Sequence, residues 1–444
     1  MKKVHPPQYI PLNVIDRQFL VPETDDFANG PYLPMTVSAA IHLRKMPSIK
    51  TIQDAVIQVD TKFPQYRLGY TLDIVSPQWV RVLDENLIEY LKNRVQKSKY
   101  DTVDEHLANH VRYNLSPLEE PFKVFICNDS LCFHFYHPFG DGNFCIQVMA
   151  GVLTALFKPE SLMPNDDDRF FIPLRNVAMS NFPQAIKVSG HVVKQVGKKI
   201  TNYISGLSTP SVAVDSKENT KYQTTVSGTK MDIAYVEIPP DKMKQIRSLI
   251  KSYSKSPMIS LNTYWQVFFA FRMKEMGLVD WPIELTTLID LRRYMKGPKR
   301  FYPGNCIDNI RLTINKASFV DACLDYQSQL EKRINSAHPL SDMFGNELLA
   351  LAGDTAYRQA NRHWYLKVSP QEKRFYTLTN AGRLDNVLKP IRDYIFPDIR
   401  FVTPIMGAAP LVVVFTTFNN YGHFTATYKP DVISRDDVLR IMDF

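Results

Sequence analysis

The sequence predicts a layered α/β protein built in two halves, and three observations carry that prediction. The chain has 444 residues, more than one ordinary core holds and enough for two domains of about 200 residues each. Stretches with the period of one helix face alternate with short β-prone runs along its length. Between residues 205 and 231 the segment SGLSTPSVAVDSKENTKYQTTVSGTKM loses apolar periodicity and fills with Ser, Thr, Gly, Lys and Asn, the composition of a linker or crossover. The expected organisation is a first half over residues 1–204, a connection over 205–231 and a second half over 232–444, with similar element patterns but no repeat by residue identity.

In the first half, Thr51 to Phe63 places Ile52, Ala55, Val56 and Val59 on one face of an amphipathic helix. The stretches FPQYRLGYTLD and PQWVRVLDENL are short, β-prone and punctuated by Pro and Gly, and read as strands. Val124 to Cys127 and Leu131 to His137 are two β-rich runs separated by Asn-Asp-Ser, which is hairpin-turn chemistry. From Asp141 onward, Phe144, Val148, Val152, Ala155 and Leu156 recur as in a helix packed on a sheet. Val192, Val196, Ile200 and Tyr203 then share a helical face, with Lys194, Lys198 and Lys199 elsewhere; an ordinary helix with a solvated lysine face is preferred to a lid or a membrane-surface helix.

The second half opens with a strand, DIAYVEIPP, and two stretches of helical period, KMKQIRSLIKSYS and LNTYWQVFFAFRMKEMG. WPIELTTLIDLRR reads as a strand ending in charges. APLVVVFTTFNN and HFTATYKP read as paired buried strands around Asn419 to Gly422, and a last short helix starts at Asp436.

Composition narrows the function classes. Apolar residues make up 45% and charged residues 22%, close to globular averages, so disorder and fibrous classes drop out. No apolar run approaches the roughly 20 residues that span a bilayer, and the opening lacks a signal-peptide pattern, so a cytoplasmic protein is expected. The five cysteines, Cys127, Cys132, Cys145, Cys306 and Cys323, are odd in number and form no CxxC pair, which reads as buried reduced thiols. The net charge of +8 is mild for this length and favours an anionic ligand without requiring one. No zinc-finger spacing, basic-aromatic run or heptad is present, so nucleic acid is not expected as a partner. GxSxG, GxGxxG and P-loop patterns are also missing, which removes the serine hydrolases and the common nucleotide binders.

The chemistry concentrates in FHFYHPFGDG, residues 133–142. A neutral imidazole is the side chain best suited to taking a proton at neutral pH, and His137 ends an apolar strand face shared with Phe133 and Phe135. Cys132, His134 and Tyr136 fall on the opposite face. That separation breaks the metal-like spacing of Cys132, His134 and His137, and no metal is expected there. Taken alone, Asp141 is first a helix N-cap, favoured by free N–H groups and the helix dipole, and His137 is equally a hydrogen-bonded structural histidine.

Context sharpens these readings. His137-Pro-Phe-Gly-Asp141-Gly142, between an aromatic strand and a helix, resembles the HxxxDG signature of the chloramphenicol acetyltransferase-like acyltransferase superfamily. That superfamily includes alcohol O-acyltransferases, polyketide-associated acyltransferases and condensation domains. PLNVIDRQFL resembles its first strand and helix, and FPQYR its Pro-x-x-Arg turn. Asp290-Leu-Arg292-Arg293, Pro303-Gly304-Asn305 and NNYGHFTATYKP resemble its later landmarks, in order across nearly the whole chain.

The resemblance implies two chloramphenicol acetyltransferase-like subdomains, each a mixed β-sheet flanked by helices, with a channel between them and His137 near its middle. It implies His137 as general base, and Asp141 turned away from substrate and paired with Arg292. Gly142, Asp290, Gly304 and Asn305 are then motif and structural residues. Acyl-CoA is implied as co-substrate, an alcohol or amine as acceptor, and no permanently bound cofactor. For the oxyanion donor, Asn262, Thr263 and the backbone by Gly140 to Gly142 stay open. Arg293, Lys296, Lys299 and Arg300 form a cationic cluster near the motif, for which a solvated loop is preferred to a phosphate contact. Two departures, Tyr136 where condensation domains carry a second His and Asn420-Tyr421-Gly422 where plant members carry Asp-Phe-Gly-Trp-Gly, point to the alcohol or lipid acyltransferase branch. The competing readings are a condensation-type enzyme served by an acyl carrier protein and a non-catalytic acyl or lipid binder.

Overall fold

The alternating patterns resolve into three β-sheets with helices packed on them. The computed structural model describes residues 6–20, 36–73, 76–112, 121–163, 170, 231–253, 258–294, 302–336, 339–351, 353–363, 376–405 and 409–444, with scattered positions between 193 and 204. The expected connection over 205–230, most of the lysine-flanked helix ahead of it, and Lys296, Lys299 and Arg300 lie outside the described residues.

The first half runs through β1 (Tyr9–Pro11), α1 (Val14–Gln18), β2 (Thr36–Leu43), α2 (Ile49–Lys62), β3 (Tyr70–Asp73), β4 (Gln78–Arg81), α3 (Asp84–Asn93), β5 (Val95–Lys97), α4 (Val103–Arg112), β6 (Phe122–Cys127), β7 (Ser130–Tyr136) and α5 (Gly142–Phe157). The second half continues with β8 (Asp232–Ile238), α6 (Pro240–Tyr253), α7 (Leu261–Glu275), β9 (Ile283–Asp290), β10 (Ile307–Ile314), α8 (Phe319–Asn335), α9 (Leu340–Leu351), α10 (Asp354–His363), β11 (Tyr376–Arg383), β12 (Ile395–Val402), β13 (Leu411–Phe418), β14 (Tyr421–Tyr428) and α11 (Arg435–Met442).

A five-stranded sheet has the order β12-β2-β7-β6-β5, a six-stranded sheet β10-β9-β11-β13-β14-β8, and a small sheet β1-β4-β3. Both larger sheets are mixed: β5 runs parallel to β6, and β11 parallel to β13 and β9. The fold class read from the sequence is therefore the one observed. α5 is apolar almost all round and is sandwiched accordingly, packing on α2 with Phe144, Val148, Met149, Val152 and Leu153 buried. All five cysteines are buried and free.

Three local details differ from the sequence reading. The β6–β7 turn needs only Asn128 and Asp129, because Asn128 adopts φ +50, a left-handed conformation that Asn tolerates. The residues after Arg81 turn into α3, whose first turn holds Asp84 and Glu85 against the positive helix end. Finally, β7 stops at Tyr136 and His137 opens a single 3₁₀ turn. Pro138 explains the stop, since it has no N–H to extend the ladder.

The sheet of the first half is completed from the second. β12 pairs antiparallel with β2, from Ile395 opposite Leu43 to Val402 opposite Ser38, and Ile395, Ile399 and Val402 are buried there. Among the described residues no helix is long and apolar enough to cross a membrane. Because β12 covers the edge of β2, a fragment of residues 1–204 exposes an unpaired apolar edge strand. The fragment is expected to aggregate or remain unfolded by circular dichroism and size-exclusion chromatography, and recovery of a monomeric folded fragment would contradict this role of β12.

Candidate active site

A cavity of about 490 Å³ is walled by both larger sheets. Val37 and Phe401 face it from the five-stranded sheet, Thr286, Thr377 and Val414 from the six-stranded sheet. His137, Asp141, Gly142, Asp290 and Arg292 all border it. Asp141 and Arg292, 151 positions apart in the chain, thus meet at one wall.

His137 stands where β7 delivers it, just past the strand. Its ring lies flat on Phe19, with centroids 3.6 Å apart and an interplanar angle of 14°. Nδ1 is enclosed and makes no hydrogen bond, and the backbone carbonyl accepts from Asn305 Nδ2 at 2.8 Å and from the Gly140 N–H at 3.1 Å. Burial pushes the imidazole pKa down to about 4, against the opposing influence of Asp141 and the Asn305 side chain. The ring is therefore neutral at pH 7, the form that accepts a proton. Gly140 is required by space: a Cβ there would lie 2.2 Å from the ring of Phe144. At Gly142 a Cβ would meet nothing within 4 Å, so the steric demand in this motif falls on Gly140.

Asp141 is both of the things the sequence offered. Its Oδ1 accepts from the Phe144 N–H at 3.0 Å and caps α5. Its Oδ2 accepts from Arg292 Nη1 at 2.8 Å and from the Cys306 N–H at 2.8 Å. Arg292 spends its remaining reach on the opposite loop, donating from Nη2 to the carbonyls of Tyr302 at 2.9 Å and Gly304 at 3.1 Å. Both side chains are almost completely buried. Burial works against the charge of Arg292, but the Asp141 carboxylate outweighs it and holds the guanidinium protonated. Asp290 steadies the same arginine through its backbone N–H at 2.9 Å and Nη1 at 3.3 Å.

A second buried carboxylate anchors the other side of the motif. Asp16 closes a capping box with Asn13 at the start of α1. It also accepts from the backbone N–H and the Nδ2 of Asn305, both at 2.8 Å. Asn305 in turn holds the His137 carbonyl, so Asp16 reaches His137 through one intermediary. Burial raises the Asp16 pKa to about 6, opposed by Arg67 and the Asn305 bonds. Gly304 is fixed by the same contact, having φ +84 and only 3.0 Å between the position of a Cβ and Asp16 Oδ2.

No family model matches this chain, and no curated protein is similar to it in sequence. Solved structures are similar in shape. The TRI3 trichothecene 15-O-acetyltransferase from Fusarium sporotrichioides superposes with a TM-score of 0.64 at 11% identity, over 98% of this chain and 94% of that one. The first condensation domain of the CDA synthetase gives 0.59 at 12%, over 99% and 94%. The wax ester synthase/diacylglycerol acyltransferase from Marinobacter aquaeolei VT8 gives 0.51 at 12%, over 98% and 97%. The chain has the chloramphenicol acetyltransferase-like fold.

Within this fold the structure gathers every residue the sequence singled out for the motif: His137, Asp141, Gly142, Asp290, Arg292, Gly304 and Asn305 surround one junction. Two oxyanion candidates are placed elsewhere. Thr263 is buried in α7, bound at 2.5 Å to Gln327 Oε1, and neither it nor Asn262 borders the cavity; a helix N3 position turned to its neighbour α8 cannot also face the channel. Arg293, the one described member of the cationic cluster, is exposed. The sequence reading missed Asp16, for which Asn-x-x-Asp capping spacing was the available signal, and Phe19, for which there was none.

Removing the Asp141 carboxylate leaves buried Arg292 with only the half-exposed Asp290, at 3.3 Å, as counter-charge, so Asp141→Ala is expected to cost about 3–5 kcal/mol of stability in urea unfolding. The His137 ring should titrate by NMR with a midpoint near pH 4, far below the ordinary 6.5. The sign follows from burial of the neutral form: because the folded pKa lies below the unfolded one, this group costs no stability above pH 6.5 and progressively weakens the fold between about pH 6.5 and pH 4. A midpoint at 6.5 or above would show that the ring is solvated.

Proposed function

We propose that the protein is an acyltransferase that moves an acyl group from an acyl-CoA thioester to a hydroxyl or, second, an amine acceptor. The observation that carries this reading is an imidazole kept neutral by burial on the wall of a cavity shared by the two large sheets. The acceptor O–H gives its proton to His137 as its oxygen bonds to the thioester carbonyl carbon. The carbonyl electron pair becomes the oxyanion; when it folds back the C–S bond breaks, and the thiolate takes the proton from the imidazolium.

The surroundings support direct transfer. Cys145 and Cys306 lie beside Asp141, but burial pushes the Cys306 thiol up to about 12 and raises Cys145 well above its usual value, so neither supplies a thiolate nucleophile at neutral pH. Thr286 faces the cavity with a buried hydroxyl that has no hydrogen-bond partner, a donor free for a bound carbonyl or its oxyanion. Val37, Phe401 and Val414 offer apolar surface to an acyl chain. Asp141 and Arg292, bound to each other and to the 302–306 loop, act as positioning residues.

The test is release of free thiol from acetyl-, octanoyl- and palmitoyl-CoA with a panel of alcohols and amines, alongside the same acyl groups on a carrier protein. Acceptor-dependent release is expected from CoA donors, and His137→Ala should lower it at least about 100-fold while leaving the melting temperature close to that of wild type. Release only from carrier-bound donors would replace CoA by a carrier protein. Absence of release from every donor, or equal rates in His137→Ala, would refute catalysis by this residue.

A further inference from the structure

β7 carries a second histidine into a different environment. His134 is completely buried, and its Nε2 lies 2.8 Å from Nε2 of His106 on α4. His106 and His110 are four residues apart on that helix and so share a face. The His110 ring centroid is 4.4 Å from that of His106 and 4.1 Å from that of His134. One ring nitrogen from each of the three lies within 4.8 Å of the others.

We propose that His106, His110 and His134 bind a first-row transition-metal dication of the Zn²⁺ class, at a site separate from the catalytic cavity. The outer nitrogens are already fixed as such a site needs. Nδ1 of His106 is 2.9 Å from Ser98 Oγ, and Nδ1 of His134 is 2.7 Å from Ser38 Oγ. A hydroxyl on the outer nitrogen sets the ring plane and leaves Nε2 as the inward ligand. A direct N–H···N bond between His106 and His134 would satisfy those two rings, yet it leaves the third idle: among the described residues the His110 ring has no hydrogen-bond partner. A tetrahedral zinc with bonds of about 2.0–2.1 Å spaces neighbouring nitrogens about 3.3–3.4 Å apart, so binding opens the His106–His134 pair by roughly half an ångström.

The donor set selects the metal. Three imidazoles without a carboxylate suit Zn²⁺, Co²⁺, Ni²⁺ or Cu²⁺ and disfavour Mg²⁺ and Ca²⁺. Burial lowers the pKa of His106 to about 3 and of His110 to about 4, and takes His134 well below its usual value, so all three are in the neutral ligating form at pH 7. Lys99 and Lys123 reinforce this at His110 and oppose the dication's charge. Phe125 packs 5.0 Å from the rings of His106 and His110 and 5.2 Å from His134, shielding the site. His110, the half-buried member, leaves the fourth coordination position to water. Bound metal would staple α4 to β7.

The spacing Cys132, His134, His137 that the sequence shows is thus a false lead; the ligating partners of His134 come from the His-x-x-x-His pair of α4. To test this, protein stripped with EDTA is titrated with ZnCl₂ by calorimetry and with CoCl₂ by visible absorption. One equivalent should bind, with visible cobalt bands and a raised melting temperature. His110→Ala should weaken binding at least about tenfold, and so should Ser38→Ala, each with little change in the melting temperature of the metal-free protein. His137→Ala should bind as wild type does, which separates this site from the proposed catalysis. Failure of wild type to bind either metal, or equal binding in wild type, His106→Ala and His110→Ala, overturns the proposal.

Discussion

The buried ion pair between Asp141 and Arg292 is the contact on which the site depends. Taking two charges out of water costs several kcal/mol each, and attraction repays that only where the remaining donors and acceptors are also met. Here most are: the carboxylate accepts from the Phe144 and Cys306 N–H groups as well as from the guanidinium, and the guanidinium reaches the carbonyls of Tyr302 and Gly304, with Arg292 Nε left buried and without a partner. One pair therefore joins the start of α5, the end of β9 and the 302–306 loop, elements drawn from both halves of the chain. The planar fork of arginine is what spans them; a lysine would meet the carboxylate as a point charge and release the loop.

Asp16 performs a related task by different physics. Its neighbours are mostly neutral donors, Arg67 being the charged exception, so burial prevails and its pKa rises to about 6. Through Asn305 it fixes the His137 carbonyl while Phe19, at the far end of the same short helix, covers the imidazole face. The N-terminal helix thus sets both the backbone position and the ring plane of His137. Gly304 and Gly140 are the two places where this closeness forbids a side chain.

β7 delivers its two histidines to different surroundings because a strand alternates its faces. His137 leaves the end of the strand for the cavity, while His134 turns to α4, where burial keeps three imidazoles neutral and hydroxyls of Ser38 and Ser98 orient two of them. Desolvation acts on both groups in the same direction. What differs is the company: a buried ion pair and a cavity on one side, two more imidazoles on the other.

The sequence by itself determined the layered α/β class, the helix ending before FPQYR, the β6–β7 hairpin and the N-cap at Asp141, while the pairing of Asp141 with Arg292 was legible only through the family resemblance. The first four follow from period, turn chemistry and capping, which are local. Tertiary structure alone decided that β12 completes the sheet of the first half, that Asp16 and Phe19 hold His137, that Thr263 is committed to Gln327, and that His134 meets His106 and His110. Each of those depends on a contact between segments far apart in the chain, and hydrophobic pattern marks a residue as buried without saying which distant neighbour it will find.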